Sequence, residues 1–129
     1  VALALQLLYH QPVELDLSKA REVSQLVQTH GKYTVDSWKP VVGKFIFTRE
    51  SGGVVSQFNM PQAIEPYSSE ILGADRHVAL GKKAGLANIK YKIEELGLNT
   101  SQENHGAILE KVKRLVTDDE FRSMVAEVG

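Results

Sequence analysis

The chain has no cysteine. That excludes disulfides, thiolate metal sites and a cysteine nucleophile, and it leaves the redox compartment undetermined. It has no excess of either charge, with a formal net charge of −1 over 129 residues. A dedicated nucleic-acid binder would carry a basic excess, so no nucleic-acid partner is expected. No apolar run approaches the roughly 18 residues that a spanning helix needs, so no membrane association is expected. The four histidines, His10, His30, His77 and His105, are scattered. None stands at metal-ligand spacing with another histidine or an acid, so no metal ligand is assigned in this chain. Gly-x-Ser-x-Gly and phosphate-loop motifs are missing too, as are internal repeats and low-complexity tracts.

What remains is an ordinary globular composition, 43% hydrophobic and 24% charged, enough for one modest domain. The chain opens on Val1-Ala-Leu-Ala-Leu-Gln-Leu-Leu-Tyr9, apolar at once and without a basic leader region. It reads as an interior stretch of a longer helix that Pro12 closes. Asp16 or Ser18 can cap a second helix, with Leu17, Ala20, Val23 and Val27 on one face, Leu26 beside them and Gly31 as the stop. Residues 32–44 form a connector that Trp38 would pin to the core. Phe45-Ile46-Phe47 is too short for periodicity to decide between strand and helix. Residues 68–73 suit a short helical turn ended by Gly73.

Residues 76–97 organise the rest. His77 to Leu80 is a short apolar entry, residues 81–85 are a turn between two glycines, and Leu86, Ile89, Ile93 and Leu96 recur at helical spacing before Gly97. Lys90 and Lys92 read as solvated. Thr100-Ser-Gln-Glu103 and Thr117-Asp-Asp-Glu120 are two capping boxes, each opening a helix. The first helix would bury Ile108, Leu109, Val112, Leu115 and Val116, the second Phe121, Met124, Val125 and Val128. The fold class is mainly α, α+β at most, with one short β element around 41–47 or 76–80.

Two clusters could attract anions. Arg49-Glu50-Ser51 precedes two glycines, and such a turn can hold an anion by backbone N–H groups and a guanidinium. The residues alone favour a solvent-exposed turn with an Arg–Glu pair. Lys82 and Lys83 stand just before a helix N-terminus, where amide donors and the dipole favour phosphate. Taken alone, they are more simply two solvated lysines.

Leu80-Gly-Lys-Lys-Ala-Gly85 followed by Lys92-Ile-Glu-Glu-Leu-Gly97 resembles a signature of the isopropylmalate synthase and homocitrate synthase family. Lys39-Pro-Val-Val-Gly43, Phe47-Thr-Arg-Glu-Ser-Gly52 and Glu65-Pro66 with Glu70-Ile-Leu-Gly73 resemble further family segments, in order. The resemblance implies metal-dependent TIM-barrel enzymes of amino-acid biosynthesis, cytoplasmic homodimers that condense acetyl-CoA with a 2-oxo acid. It places residues 1–31 at the barrel's end with its connecting helices. Residues 32–129 become a helical lid and linker subdomain over the active site, inactive alone. The divalent metal is then expected in the parent barrel, with no cofactor in this chain. Arg49, Glu50, Ser51, Lys82 and Lys83 become substrate-binding candidates, and no catalytic residue is assigned. The alternatives are a non-catalytic dimerisation or ligand-binding domain derived from this region, or the lid of a related lyase or aldolase.

The sequence departs from the family where a histidine and a tyrosine are implied in acetyl-CoA deprotonation. Val54 and Ile64 stand there, and neither can relay a proton. The first histidine of the family's His-Glu-Ser-Gly motif is Arg49 here, and Tyr67 lies three positions off register.

Overall fold

The computed structural model describes residues 1–112 and 116–128. It is mainly α. The helices are α1 (Ala2–Leu8), α2 (Ala20–Gly31), the single turn α3 (Gly52–Val55), α4 (Leu86–Glu95), α5 (His105–Lys111) and α6 (Asp118–Val128). The β structure is one parallel pair, β1 (Thr48–Arg49) with β2 (His77–Val78), in register Thr48↔His77 and Arg49↔Val78. Residues 41–47 form turns instead of a strand.

The chain divides into two compact units, Val1–Phe47 with Glu65–Arg76, and Thr48–Ile64 with His77–Gly129. In the first unit a small core gathers Phe47, Leu72 and Ala74, with Leu17, Ala20, Ile46 and Tyr67 packed on it. Asp16 caps a 3-10 turn at Leu17–Lys19 by accepting the Ser18 N–H, and α2 follows directly. The left-handed stop of α2 is Lys32 (φ 53°), one residue past the predicted Gly31. Gly73 (φ 54°) ends the turn Ser69–Leu72 as its sequence predicts. Trp38 does not pin the connector: it is 61% exposed, with its ring 5.7 Å from that of Phe45 in the neighbouring turn. The Arg76 guanidinium grips the nearly buried Glu65 carboxylate through Nε at 2.8 Å and Nη2 at 3.0 Å.

The second unit holds the larger core: Val55, Val78, Leu80, Ile89, Ile93, Ile108, Val112, Val116, Phe121 and Val125. Ile89, Ile93 and Leu96 of the predicted α4 stripe face it, but Leu86, in the first turn, is exposed. The Thr117–Glu120 capping box forms, Glu120 Oε2 accepting the Thr117 N–H at 2.9 Å and Thr117 Oγ1 accepting the Glu120 N–H at 3.3 Å. The one predicted at Thr100 does not. A 3-10 turn at Gln102–Asn104 moves the start of α5 to His105, and Thr100 Oγ1 is buried without a partner among the described residues. Leu115 lies outside the described residues.

Lys92 reverses its sequence reading. It is 6% exposed, and its ammonium reaches Glu95 at 2.7 Å and Asp118 at 2.9 Å, joining α4 to the start of α6. Burial pulls its pKa down, but the two carboxylate hydrogen bonds outweigh that and hold it above the ordinary lysine value. Lys90 is exposed as predicted.

Candidate functional site

The β1–β2 pairing brings the two candidate anion-binding stretches of the sequence side by side. Ala79 N–H extends the ladder onto Arg49 O at 2.9 Å, so residues 50–52 run beside 79–85. Glu50 Oε1 accepts the Lys83 N–H at 3.0 Å, and Lys83 O accepts the Gly52 N–H at 3.2 Å. At Gly52 the contact is backbone to backbone. A Cβ at Gly52 would stand 2.8 Å from Cα and N of Gly85, so only glycine allows the two turns to approach this closely.

Asn88 locks the arrangement. Its side chain is fully buried; Nδ2 donates to Glu50 O at 2.7 Å and Ala79 O at 3.4 Å, and Oδ1 accepts the Gly85 N–H at 3.0 Å. One amide thus satisfies three part-buried backbone groups of two loops. Reading the residues one by one overlooked Asn88. Its signal is its place three residues after Gly85, where a side chain can reach back to the helix's first free N–H.

The candidates therefore have unequal standing. Glu50, Ser51, Lys82 and Lys83 lie on the two joined turns. The Glu50 carboxylate fills the Lys83 amide, one of the donors an external phosphate would need. Lys82 and Lys83 are exposed. Ser51 is the N-cap of α3 but makes no side-chain cap bond; its carbonyl accepts from Val54 and Val55. Arg49 is half-buried and donates to backbone carbonyls, Nη1 to Thr48 O at 2.9 Å and Nη2 to Ile64 O at 3.3 Å. It supports the turn as well as carrying charge. Val54 and Ile64 are half-buried. Tyr67 belongs to the first unit, where its hydroxyl accepts the Val41 N–H at 3.0 Å.

Among the described residues no group of three or more His, Cys, Asp or Glu side chains could hold a metal. Nor is any described helix long and apolar enough to cross a membrane.

The homocitrate synthase post-HMGL domain-like family matches residues 41–120, a span that contains both turns and Asn88. Curated relatives match over nearly the whole chain. Homocitrate synthase AksA of Methanothermobacter thermautotrophicus is 31% identical over 98% of this chain and 34% of its own length. The (R)-citramalate synthase CimA of Methanocaldococcus jannaschii is 32% identical over 99% of this chain and 28% of its own. The 2-phosphonomethylmalate synthase of Streptomyces rubellomurinus is 33% identical over 89% and 31%. The chain spans about a third of the length of these relatives.

Proposed function

Because this chain belongs to the homocitrate synthase post-HMGL domain-like family, we propose that it serves a synthase of acyltransferase type as the lid and linker segment beyond the catalytic barrel. On this reading the full polypeptide condenses acetyl-CoA with a 2-oxo acid in a cytoplasmic homodimer. The divalent metal sits in the barrel, and these 129 residues do no chemistry alone. The observation that carries the reading is the Asn88 lock. It holds two family-matching turns, 49–53 and 81–85, as one rigid edge. Rigid positioning is what a lid must contribute, because a displaced binding group loses the benefit of orientation.

Within that edge Arg49, Lys82 and Lys83 would supply positive charge toward the anionic groups of the substrates. Glu50 and Ser51 would shape the turn. Arg49 cannot replace the family's histidine as a base, since a guanidinium does not deprotonate near neutrality. Val54 and Ile64 favour a second reading, a domain of this family kept for dimerisation or ligand binding without acetyl-CoA deprotonation.

Release of free CoA thiol from acetyl-CoA, by the full polypeptide and by the isolated 129 residues, against a panel of 2-oxo acids, separates the readings. Oxo-acid-dependent release by the full polypeptide alone supports the lid. No release with any oxo acid favours the second reading. Arg49→Ala in an active full polypeptide should raise KM for one anionic substrate, at a loss of roughly 1.5–3 kcal/mol of binding free energy. It should leave the shape of the pH profile unchanged, since nothing titrating near neutrality is removed.

A further inference from the structure

Helix α2 and the loop 35–44 of the first unit enclose a cleft of about 290 Å³. Arg21, Gln25 and Gln28 line it from the helix, and Asp36, Gly43 and Lys44 from the loop. Gln28 ties the two walls together, donating to Ser24 and accepting the Val35 N–H at 2.8 Å. The loop is tightly wound. Gly43 N–H reaches Lys39 O and Phe45 N–H reaches Ser37 O, both at 2.8 Å. A Cβ at Gly43 would stand 2.5 to 2.6 Å from Lys39 and Ser37 backbone atoms. Val41 is held at φ 74°, a region that a β-branched residue enters only under constraint.

Into this preformed wall comes a cation with little to satisfy it. Of the five N–H groups of Arg21, one finds an acceptor among the described residues, Nη2 to Gly43 O at 3.0 Å. Its Nε is buried without a partner, and the guanidinium lies 5.9 Å from the Phe47 ring centroid. No carboxylate stands within ion-pair distance of Arg21 or Lys44 among the described residues. Asp36 is the one acid of the lining, and its carboxylate accepts the Trp38 N–H at 2.7 Å.

We propose that this cleft binds a small oxyanion, a carboxylate or phosphate group, through Arg21 and Lys44. A half-buried guanidinium short of acceptors gains most from an anion that supplies several at once. The volume lies at the lower end of ligand pockets, which suits a free anion or a short-chain acid and excludes a whole coenzyme. The inference rests on the first unit alone and not on the lid reading.

The test is amide NMR of the 129-residue chain, titrated separately with sodium phosphate and sodium acetate at ionic strength held constant with sodium chloride. Saturable shifts at the Gln25, Gly43 and Lys44 amides with either anion support the site. Phosphate alone marks a tetrahedral ligand, and acetate a planar one. Arg21→Gln should weaken binding about tenfold or more. Lys44→Gln, at an exposed side chain that supports no backbone, should weaken it about threefold and decides the matter if Arg21→Gln fails to fold. Shifts that never saturate, or saturable binding unchanged in Lys44→Gln, would overturn the proposal.

Discussion

Helices α2 and α4 carry apolar residues at the same helical spacing, yet one face is open and the other closed. Val23, Leu26 and Val27 of α2 are about half exposed, whereas Ile89 and Ile93 of α4 are buried. The two units differ in the same sense. The second packs α3, α4, α5 and α6 around ten buried hydrophobics, while the first closes only three. Most of the exposed large hydrophobics, from Val1 to Trp38, lie in the first unit. Periodicity therefore identifies a helix and its apolar face, but not whether anything covers that face. Coverage depends on neighbours in space, and α4 has them because α3 and α5 pack against it, with α6 behind α5.

The sharpest way to break this contrast is a pair of truncations. Ile89→Ala should destabilise the chain by about 2–5 kcal/mol, because a fully buried side chain leaves a cavity. Leu26→Ser, on an exposed face, should stay within about 0.5 kcal/mol. Urea denaturation of both variants is the check, and similar losses would mean that α2 is as well covered as α4. Asn88→Ala should cost roughly 2–3 kcal/mol, since it leaves part-buried backbone groups of Gly85, Glu50 and Ala79 without this partner. It should also raise amide hydrogen exchange in residues 50–53 and 81–85, a local signature that cavity formation at Ile89 lacks.

Lys92→Ala should destabilise somewhat less, by about 1.5–2.5 kcal/mol, because its two carboxylate partners remain partly solvated. Its pKa is raised in the folded chain. The stability that this ammonium contributes is therefore complete below the unfolded lysine pKa and is lost as pH rises through the folded one. In wild type an alkaline loss of stability should begin above about pH 10. Lys92→Ala should flatten that limb while leaving neutral-to-acid behaviour parallel to wild type. An unchanged alkaline limb would show that the lysine's partners do not stabilise its charge. The smallest effect sharpens the picture of the first unit. Val41→Gly should stabilise by about 1 kcal/mol by relieving the left-handed strain, with the Val41 N–H still free to reach the Tyr67 hydroxyl. A loss measured by thermal melting would instead show that Val41 packing outweighs its backbone strain.

Much of the fold was legible residue by residue. The Thr117–Glu120 cap, the Gly73 and Gly97 stops and the buried face of α6 all follow from contacts within one turn of chain. The Thr100 cap failed because a 3-10 turn intervened before α5. Lys92 was misread because its partner Asp118 stands 26 positions away, beyond any helical period. In the candidate site the charged residues could be picked out by type, but the residue that holds them could not. Asn88 sits in the first turn of an amphipathic helix; its bond to Gly85 is local, but its hold on Glu50 exists only once strand pairing has brought that residue beside it.

The local grammar of this chain, its glycine stops, proline boundaries, acid-rich helix starts and family-matching segments, is determined by the sequence alone, because backbone sterics and neighbouring side chains act over a few residues. Only the tertiary structure decided that the two glycine turns touch, that Glu50 fills the amide of Lys83, that Lys92 is buried and that the apolar face of α2 is open. Each of these depends on which distant segments meet. Hydrogen bonds and close packing act over a few ångströms in space, with no regard to distance along the chain.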